Sequence, residues 1–214
     1  MTDYFFGPAS SRDKIVFGAE KPDHDIQAWI SFMRGQGIER VCCLLKQETF
    51  LDEYNKAFGK ENVKLAPIKD YHYSSPENLT QVIIPFLSDS YTKNKPVVVH
   101  CFGGNGRTGH VLAAWLCFRY NLDTEQAIID VKRTGRNPRE AIEQGYETRK
   151  TLINLLEECR ELGMRWPPFL GQDRGLTKRE SSGHMTSGWQ VMATWRETLN
   201  MDKLGAHFDV FSTL

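Results

Sequence analysis

The sequence predicts an α/β domain in which helices flank a central, mostly parallel sheet, followed by a C-terminal helical or irregular extension. Up to residue 100, short apolar runs alternate with amphipathic helical patterns, and helical patterns continue to about residue 162. Prolines and glycines then interrupt the chain at 163–175. We therefore expect a main domain at 1–163 and an extension at 164–214.

Four apolar runs are the predicted strands. Each is five or six residues long and lacks a regular polar alternation. This pattern is typical of strands that are buried on both faces of a parallel sheet. The runs lie at residues 14–18, 40–45, 63–68 and 96–100.

The helices are predicted from apolar residues at three- and four-residue spacing. Asp23 or Asp25 is expected to cap the first helix, and Gly59 to close the second. Asp123 and Gln126 resemble a capping box at the start of a later helix. The predicted ranges are 23–33, 48–59, 76–87, 107–120, a helix that begins after 123, and 138–162.

Within the extension we predict a helix at 187–203. Trp189, Met192 and Trp195 lie close to one face of this helix, and the segment carries too many aromatic residues for simple disorder. Two interpretations remain open. The helix docks on its own domain, or residues 187–214 make a contact with a second copy or another partner.

Composition limits the classes of partner. The formal net charge is zero, so no general attraction to nucleic acid or an anionic membrane surface is expected. No segment has the pattern of a signal peptide or a membrane span. The five cysteines are odd in number and several lie in apolar runs, which predicts reduced thiols and a cytoplasmic protein. No cysteine or histidine pair has metal-ligand spacing, so we expect no metal or other cofactor.

Residues 97–110, VVVHCFGGNGRTGH, carry the strongest chemical signal in the chain. A strand that ends in a glycine-rich turn and opens a helix presents converging backbone N–H groups and the positive end of the helix dipole to an anion. Arg107 adds a guanidinium that can grip two phosphate oxygens. The same field favours the thiolate of Cys101, so we expect a lowered pKa and a nucleophilic sulfur. The predicted cradle consists of Phe102, Gly103, Gly104, Asn105, Gly106 and Arg107.

Two neighbours of this loop are expected to support it. Thr108 is expected to hydrogen-bond to the sulfur, and His100 to orient the loop through backbone hydrogen bonds. The same Cys-to-Arg spacing recurs at Cys159 and Arg165, but there it lies on a helical segment without a preceding strand and with a single glycine. Because the second copy lacks the cradle, we expect Cys159 to be an inert thiol with a structural or surface role.

The stretch VVVHCFGGNGRTG is similar to the signature of cysteine-dependent protein phosphatases, in which His-Cys is followed by five residues, Arg, and Ser or Thr. Residues 14–160 resemble the small atypical dual-specificity phosphatases. The Gly-Gly-x-Gly-Arg form of the loop is most like the type that acts on cyclin-dependent kinases. The resemblance implies the cysteine phosphatase fold, a phosphocysteine intermediate on Cys101 and no cofactor.

The resemblance also implies a general acid, an Asp on a loop about thirty residues before the cysteine. Asp70 is 31 residues before Cys101, between a predicted strand and a predicted helix. The alternative role for Asp70 is a turn-forming residue, and Asp52 and Glu53 are weaker candidates on a predicted helix. Ile-Lys at 68–69 replaces the Trp-Pro of the tyrosine phosphatases, which leaves the mode of loop closure open.

Five further residues are assigned on weaker grounds. Gln144 matches the glutamine that positions water in the family, and a plain helix-surface residue is the alternative. Arg136 and Arg139 either flank the cleft or belong to a solvated helix start. Tyr71 and Tyr73 either pack against a phosphotyrosine ring or fix the loop that carries Asp70.

The sequence therefore predicts metal-independent hydrolysis of phosphotyrosine, phosphoserine or phosphothreonine in proteins. The absence of lysine between Cys101 and Arg107 argues against phosphoinositides. Two alternatives stay open. One is the same chemistry on RNA 5′-phosphates or phosphoinositides, and the other is a phosphate-binding scaffold without catalysis.

Overall fold

The computed structural model describes residues 3–22, 25–46 and 50–165. Its sheet has five strands in the order β1-β2-β5-β3-β4. The β1–β2 pair is antiparallel and the other three pairs are parallel, which confirms the predicted fold class. The strands are β1 Gly7–Pro8, β2 Val16–Glu20, β3 Arg40–Cys43, β4 Val63–Leu65 and β5 Val97–Cys101.

Helices cover both faces of this sheet. The described residues also include two short helical elements of other types, a 3₁₀ turn at Lys60–Asn62 and a π-helical segment at Leu79–Ile83. The α-helices are α1 Ile26–Gly35, α2 Leu51–Phe58, α3 Pro76–Asn78, α4 Ile84–Thr92, α5 Gly106–Tyr120, α6 Thr124–Lys132, α7 Glu140–Glu143 and α8 Arg149–Arg165.

The central strand β5 contributes to two apolar cores. Val97, Val99 and Cys101 belong to the cluster that includes α4, α5 and α8, while Val98 points to the cluster of α1 and α2. All five residues of β5 are buried. A strand covered on both faces needs apolar side chains throughout, which explains the uninterrupted VVV run.

Helix α5 is the most deeply buried helix in the described part of the chain. Twelve of its fifteen residues are buried, because the helix lies between the sheet and helices α6 and α8. Its sequence is accordingly apolar nearly all round rather than on one stripe. This burial fixes the N-terminus of α5 at the end of β5, where Cys101 and Arg107 lie.

Several predicted boundaries need correction. The first major strand is Val16–Glu20 rather than 14–18, because the buried Asp13 carboxylate accepts hydrogen bonds from Ile15 N and Val16 N and holds a turn there. The strands predicted at 40–45 and 63–68 end at Cys43 and Leu65, where their regular register ends, although Ile68 N still donates to the Leu44 carbonyl over 3.0 Å.

The helical predictions also change in detail. The segment at 138–162 is divided into α7 and α8 by a turn. Asp25 caps α1 and Gly59 closes α2 with a φ of 86°, as predicted. Asp123 caps α6, but Gln126 donates to Asp130 (2.7 Å) instead of completing a capping box.

The predicted extension at 164–214, including the helix at 187–203, lies outside the described residues apart from the last two residues of α8. Within the ranges that the structure does describe, no helix is both long enough and apolar enough to cross a membrane.

Candidate active site

The residues of the predicted cradle follow the end of β5 and lead into α5, and residues 101–107 are called the phosphate loop below. Cys101 is buried at the strand end, and the ring of Phe102 is exposed. Gly104 has a φ of 67°, and a Cβ there would lie 2.6 Å from the backbone of Ala19. The Lys21 amide donates to the Phe102 carbonyl over 3.1 Å. The loop therefore rests directly on the end of β2, and only glycine allows this approach.

A second contact holds the other side of the phosphate loop. The Asn105 side-chain amide donates to Glu140 Oε1 over 2.6 Å, and its oxygen accepts from Asn137 N over 2.7 Å. The Cα of Gly106 faces Glu140 so closely that a Cβ would collide with it. This contact was not predicted from the sequence, where Asn105 was expected to act only through its backbone and Glu140 was given no role. No motif has a spacing that links residues 35 apart.

Arg107 and Asp70, the predicted phosphate ligand and general acid, meet in the structure. Arg107 Nη2 lies 2.8 Å from Asp70 Oδ1, and Nη1 donates to the Ile68 carbonyl over 3.4 Å. The arginine side chain is 10% exposed and the aspartate side chain 63% exposed. The Asp70 carboxylate is exposed at the mouth of the phosphate loop. It can therefore contact a leaving group as well as the Arg107 guanidinium.

Residues 68–74, which carry Asp70, are called the acid loop below. Tyr71 has a φ of 56°, a strained value for a residue with a side chain. Its ring stacks on Tyr146 at 5.6 Å, and His72 Nδ1 lies 2.8 Å from the Asp70 carbonyl. Tyr73 is buried and its hydroxyl donates to the Pro138 carbonyl. Tyr73 therefore fixes the loop, whereas Tyr71 stays at the surface.

The supporting residues are placed as follows. His100 is fully buried against the rings of Trp29 and Tyr54, and its Nδ1 lies 3.4 Å from the Cys101 carbonyl. This position suits the predicted orienting role. Thr108 is also buried, but its hydroxyl makes no hydrogen bond to any residue that the structure describes. The predicted bond from Thr108 to the sulfur is therefore not formed here.

Gln144 is exposed at the end of α7. It follows Glu140, which touches the phosphate loop, and precedes Tyr146, which stacks on the acid loop. The turn that carries Gln144 is thus joined to both loops. Its role in positioning water stays a prediction.

Arg136 differs from the expectation of a cleft or solvated residue. It is 1% exposed, and its guanidinium donates to the carbonyls of Phe5 (2.5 Å) and Gly18 (2.6 Å). Burial lowers the pKa of Arg136 to about 10, an effect that Cys101 partly opposes. Arg139 instead forms an ion pair with Glu125. The buried positive charge of Arg136 therefore acts on the Cys101 sulfur from within the domain.

The comparisons with known proteins agree with this geometry. Residues 18–120 match a family model described as a polymorphic toxin system DSP-PTPase phosphatase, Tc-R-P. The dual specificity protein phosphatase PHS1 of Arabidopsis thaliana is 25% identical over 170 residues, which cover 74% of this chain and 18% of PHS1. The crystal structure of Tk-PTP in the active form superposes with a TM-score of 0.54 at 26% identity, over 70% of this chain and 93% of that one. Over these residues the chain is similar to the cysteine-dependent, dual-specificity phosphatases.

Other proteins match a shorter part of this chain or match it at lower identity. The uncharacterized protein MJ0215 of Methanocaldococcus jannaschii is 47% identical over 49 residues, or 23% of this chain and 30% of MJ0215. The chain spans 18–33% of the length of the curated relatives it matches. Kinase associated phosphatase shares the fold, with a TM-score of 0.50 at 18% identity over 70% of this chain and 88% of that one.

The remaining thiols of the protein differ from Cys101 in their surroundings. Cys159 is fully buried in α8, where burial raises its pKa. Burial likewise raises the pKa of Cys42 and of Cys117 to about 12. None of the five cysteines, all of which lie in the described ranges, forms a disulfide. Within the described ranges, no group of three or more His, Cys, Asp or Glu side chains is arranged to hold a metal ion.

Proposed function

We propose that this phosphatase hydrolyses phosphomonoesters of proteins without a metal, through a phosphocysteine intermediate on Cys101. The observation that carries the proposal is the 2.8 Å contact between the Asp70 carboxylate and the Arg107 guanidinium at the mouth of the loop that bears Cys101. A nucleophile, an oxyanion ligand and a proton donor are thereby within reach of one phosphate group.

In the first step, the phosphate dianion takes the place of Asp70 on Arg107 and accepts hydrogen bonds from the backbone of residues 102–107. The Cys101 thiolate attacks phosphorus as the bond from phosphorus to the leaving oxygen breaks. The protonated Asp70 donates its proton to that oxygen. Fixed dipoles and the guanidinium stabilise the charge on the three equatorial oxygens, which is the main source of the rate enhancement.

In the second step, Asp70 is ionised and accepts a proton from water. The water oxygen attacks phosphorus, the bond from sulfur to phosphorus breaks, and the Cys101 thiolate is regenerated with inorganic phosphate. We assign Gln144 to orienting this water, because its turn contacts both loops. Thr108 is assigned to donating a hydrogen bond to the departing sulfur after a change of rotamer.

A phosphorylated protein is the proposed substrate. The phosphate loop contains no lysine, and the exposed Tyr71–Tyr146 pair beside Asp70 offers an aromatic wall to a phosphotyrosine ring. A phosphoinositide is the second candidate, because PTPMT1, which shares the fold at 17% identity, has been crystallised in complex with PI(5)P. RNA 5′-phosphates and a scaffold function without turnover remain outcomes of the test.

We also propose a cytoplasmic location, supported by five thiols without a disulfide. Residues 187–214 are proposed as a contact for a second copy or another partner, on the basis of their aromatic content alone.

The test is hydrolysis of p-nitrophenyl phosphate by the reduced protein in excess chelator, with wild type, Cys101→Ser and Cys159→Ala compared. We expect activity in the wild type and in Cys159→Ala and none in Cys101→Ser, because only Cys101 lies in the phosphate loop. Activity that survives in Cys101→Ser would exclude the mechanism, and an inactive wild type would favour the scaffold. Phosphopeptide, phosphoinositide and 5′-phosphorylated RNA panels then separate the substrate classes.

A further inference from the structure

His110 is a buried histidine that none of the catalytic steps uses. It lies one turn into α5, four residues after Gly106, and is fully buried. Its Nδ1 lies 3.4 Å from the Gly106 carbonyl in the phosphate loop. Its Nε2 accepts a hydrogen bond from the Ser74 amide in the acid loop over 3.1 Å. One imidazole ring therefore joins the two loops that carry the reacting groups.

These two hydrogen bonds define the protonation state of the ring. The Ser74 N–H is a donor, so Nε2 must present a lone pair, and the single ring proton must lie on Nδ1 toward the Gly106 carbonyl. The neutral ring with the proton on Nδ1 is the form that satisfies both contacts. Burial lowers the pKa of His110 to about 4, with a smaller lowering from the Arg107 charge, so the ring stays neutral near pH 7.

The His110 ring contacts each loop close to a proposed catalytic residue. Gly106 precedes Arg107, the proposed phosphate ligand, and Ser74 is four residues after Asp70, the proposed acid. The acid loop has further attachments nearby, since Tyr73 packs edge-to-face on His110 at 5.1 Å and Tyr73 N contacts Glu147. A shift of about 1 Å in a proton donor is enough to lower the rate of a catalysed step substantially.

We propose that His110 is a positioning residue that sets the distance between the acid loop and the phosphate loop. It holds the Asp70 carboxyl where it can protonate the leaving oxygen of a phosphate bound to Arg107. The inference rests on the proposed function, because it assumes that Asp70 is the acid. His110 lies outside the Cys-to-Arg signature, and in this proposal it affects the rate at which the leaving group departs by positioning Asp70.

The experiment compares two aryl phosphates, p-nitrophenyl phosphate and phenyl phosphate. The p-nitrophenolate ion leaves with little help from an acid, whereas phenolate needs protonation, and a general acid contributes on the order of 10²–10⁴-fold. His110→Leu removes both hydrogen bonds. We expect its kcat to fall at least about tenfold more on phenyl phosphate than on p-nitrophenyl phosphate, as in Asp70→Asn.

Two controls separate positioning from packing. His110→Gln retains an amide oxygen that can accept from Ser74 N, so it is expected to recover most of the loss on phenyl phosphate. Leu112→Ala creates a cavity in the same buried helix without removing a hydrogen bond to either loop, so it should change kcat on the two substrates by the same factor. The inhibition constant of inorganic phosphate reports on the phosphate loop alone and should change much less than kcat on phenyl phosphate.

An equal loss on both substrates in His110→Leu, or no loss, would overturn the inference. If that variant does not fold, His110→Asn, whose amide is too short to reach Ser74, repeats the test. The proposed function fails separately. It fails if Cys101→Ser is active or if Asp70→Asn lacks the leaving-group dependence, whereas a normal Asp70→Asn result with an equal loss in the His110 variant refutes only the role of His110.

Discussion

At the scale of single residues, two glycines of the phosphate loop differ in what their positions tolerate. Gly104 has a positive φ and faces the backbone of Ala19 and Glu20, whereas the Cβ position of Gly103 is open within 4 Å. Backbone atoms cannot move away as a flexible side chain can. The loop therefore depends on Gly104 for its shape and on Gly103 much less.

We expect Gly104→Ala to lower the free energy of unfolding by at least about 2 kcal/mol, from the left-handed backbone and the collision with β2. Gly103→Ala is the matched control and should change it by less than about 1 kcal/mol. Urea unfolding of both variants measures the difference. Equal stabilities would show that the phosphate loop does not rest on β2 as described.

His110 also predicts a pH dependence of stability. Its pKa in the folded protein, about 4, lies below the ordinary value of about 6.5, so between these limits the unfolded chain binds a proton that the folded chain does not. The free energy of unfolding therefore falls as the pH falls through this window. The contribution of this one group between pH 7 and pH 5 is roughly 2 kcal/mol.

Urea unfolding at pH 7 and pH 5 checks this value. Other groups titrate over the same range, so the quantity compared is the loss in wild type minus the loss in His110→Gln. We expect wild type to lose more, by roughly 2 kcal/mol. The same loss in both proteins would show that the ring is not held neutral in the fold.

At the scale of elements, the short helix α7 holds the phosphate loop from the side opposite β2. The contact is the hydrogen bond from Asn105 to Glu140, supported by the bond from Asn137 N. Glu143, on the same helix, bonds the side chain of Asn137 instead. Glu140 and Glu143 therefore form a matched pair for testing this contact.

We expect Asn105→Asp to reduce kcat/KM on p-nitrophenyl phosphate strongly, because it places a carboxylate against Glu140 and beside the bound phosphate. Adding Glu140→Gln supplies an amide donor to the new carboxylate and should recover about tenfold, a coupling of about 1.4 kcal/mol. Adding Glu143→Gln should recover nothing comparable. If the effects of the Asn105 and Glu140 substitutions on kcat/KM were purely additive, the contact between these two side chains would not support the phosphate loop.

At the scale of the whole domain, Arg136 ties the start of the chain to the sheet. Its guanidinium donates to Phe5 O beside β1 and to Gly18 O in β2, and stacks over the Phe5 ring at 4.7 Å. No carboxylate of the described residues pairs with it. The arginine thus serves as a hydrogen-bond donor that links the carbonyls of two separate segments.

We expect Arg136→Met to lower the free energy of unfolding by about 2–4 kcal/mol, because the buried Gly18 carbonyl and the part-buried Phe5 carbonyl both lose the guanidinium donor. Arg133→Met, three residues earlier, removes an exposed guanidinium from Asp130, whose carboxylate keeps the hydrogen bond from Gln126, and should cost less than about 1 kcal/mol. Chemical denaturation measures both. A cost for Arg136→Met no larger than that of the control would mean that the N-terminal segment is held by other contacts.

The main parts of the fold and the cradle were predictable from the sequence because their signals are local. Apolar runs and helical spacing predicted the alternating elements, and the strand, glycine turn and helix around Cys101 lie in adjacent residues. The errors are at boundaries, where tertiary pairing decides. Strand β3 ends at Cys43 although the apolar run continues to residue 45.

The mostly parallel sheet and the loop that joins Cys101 to Arg107 were determined by the sequence alone, since each follows from periodicity or from neighbouring residue types, whereas the burial of Cys159 is a result of the fold. Only the tertiary structure decided that Asp70, rather than Asp52 or Glu53, meets Arg107. The contacts of Asn105, His110 and Arg136 were likewise decided by the fold. Spacing encodes which face of an element is buried, but not which polar groups on separate elements come within hydrogen-bonding distance.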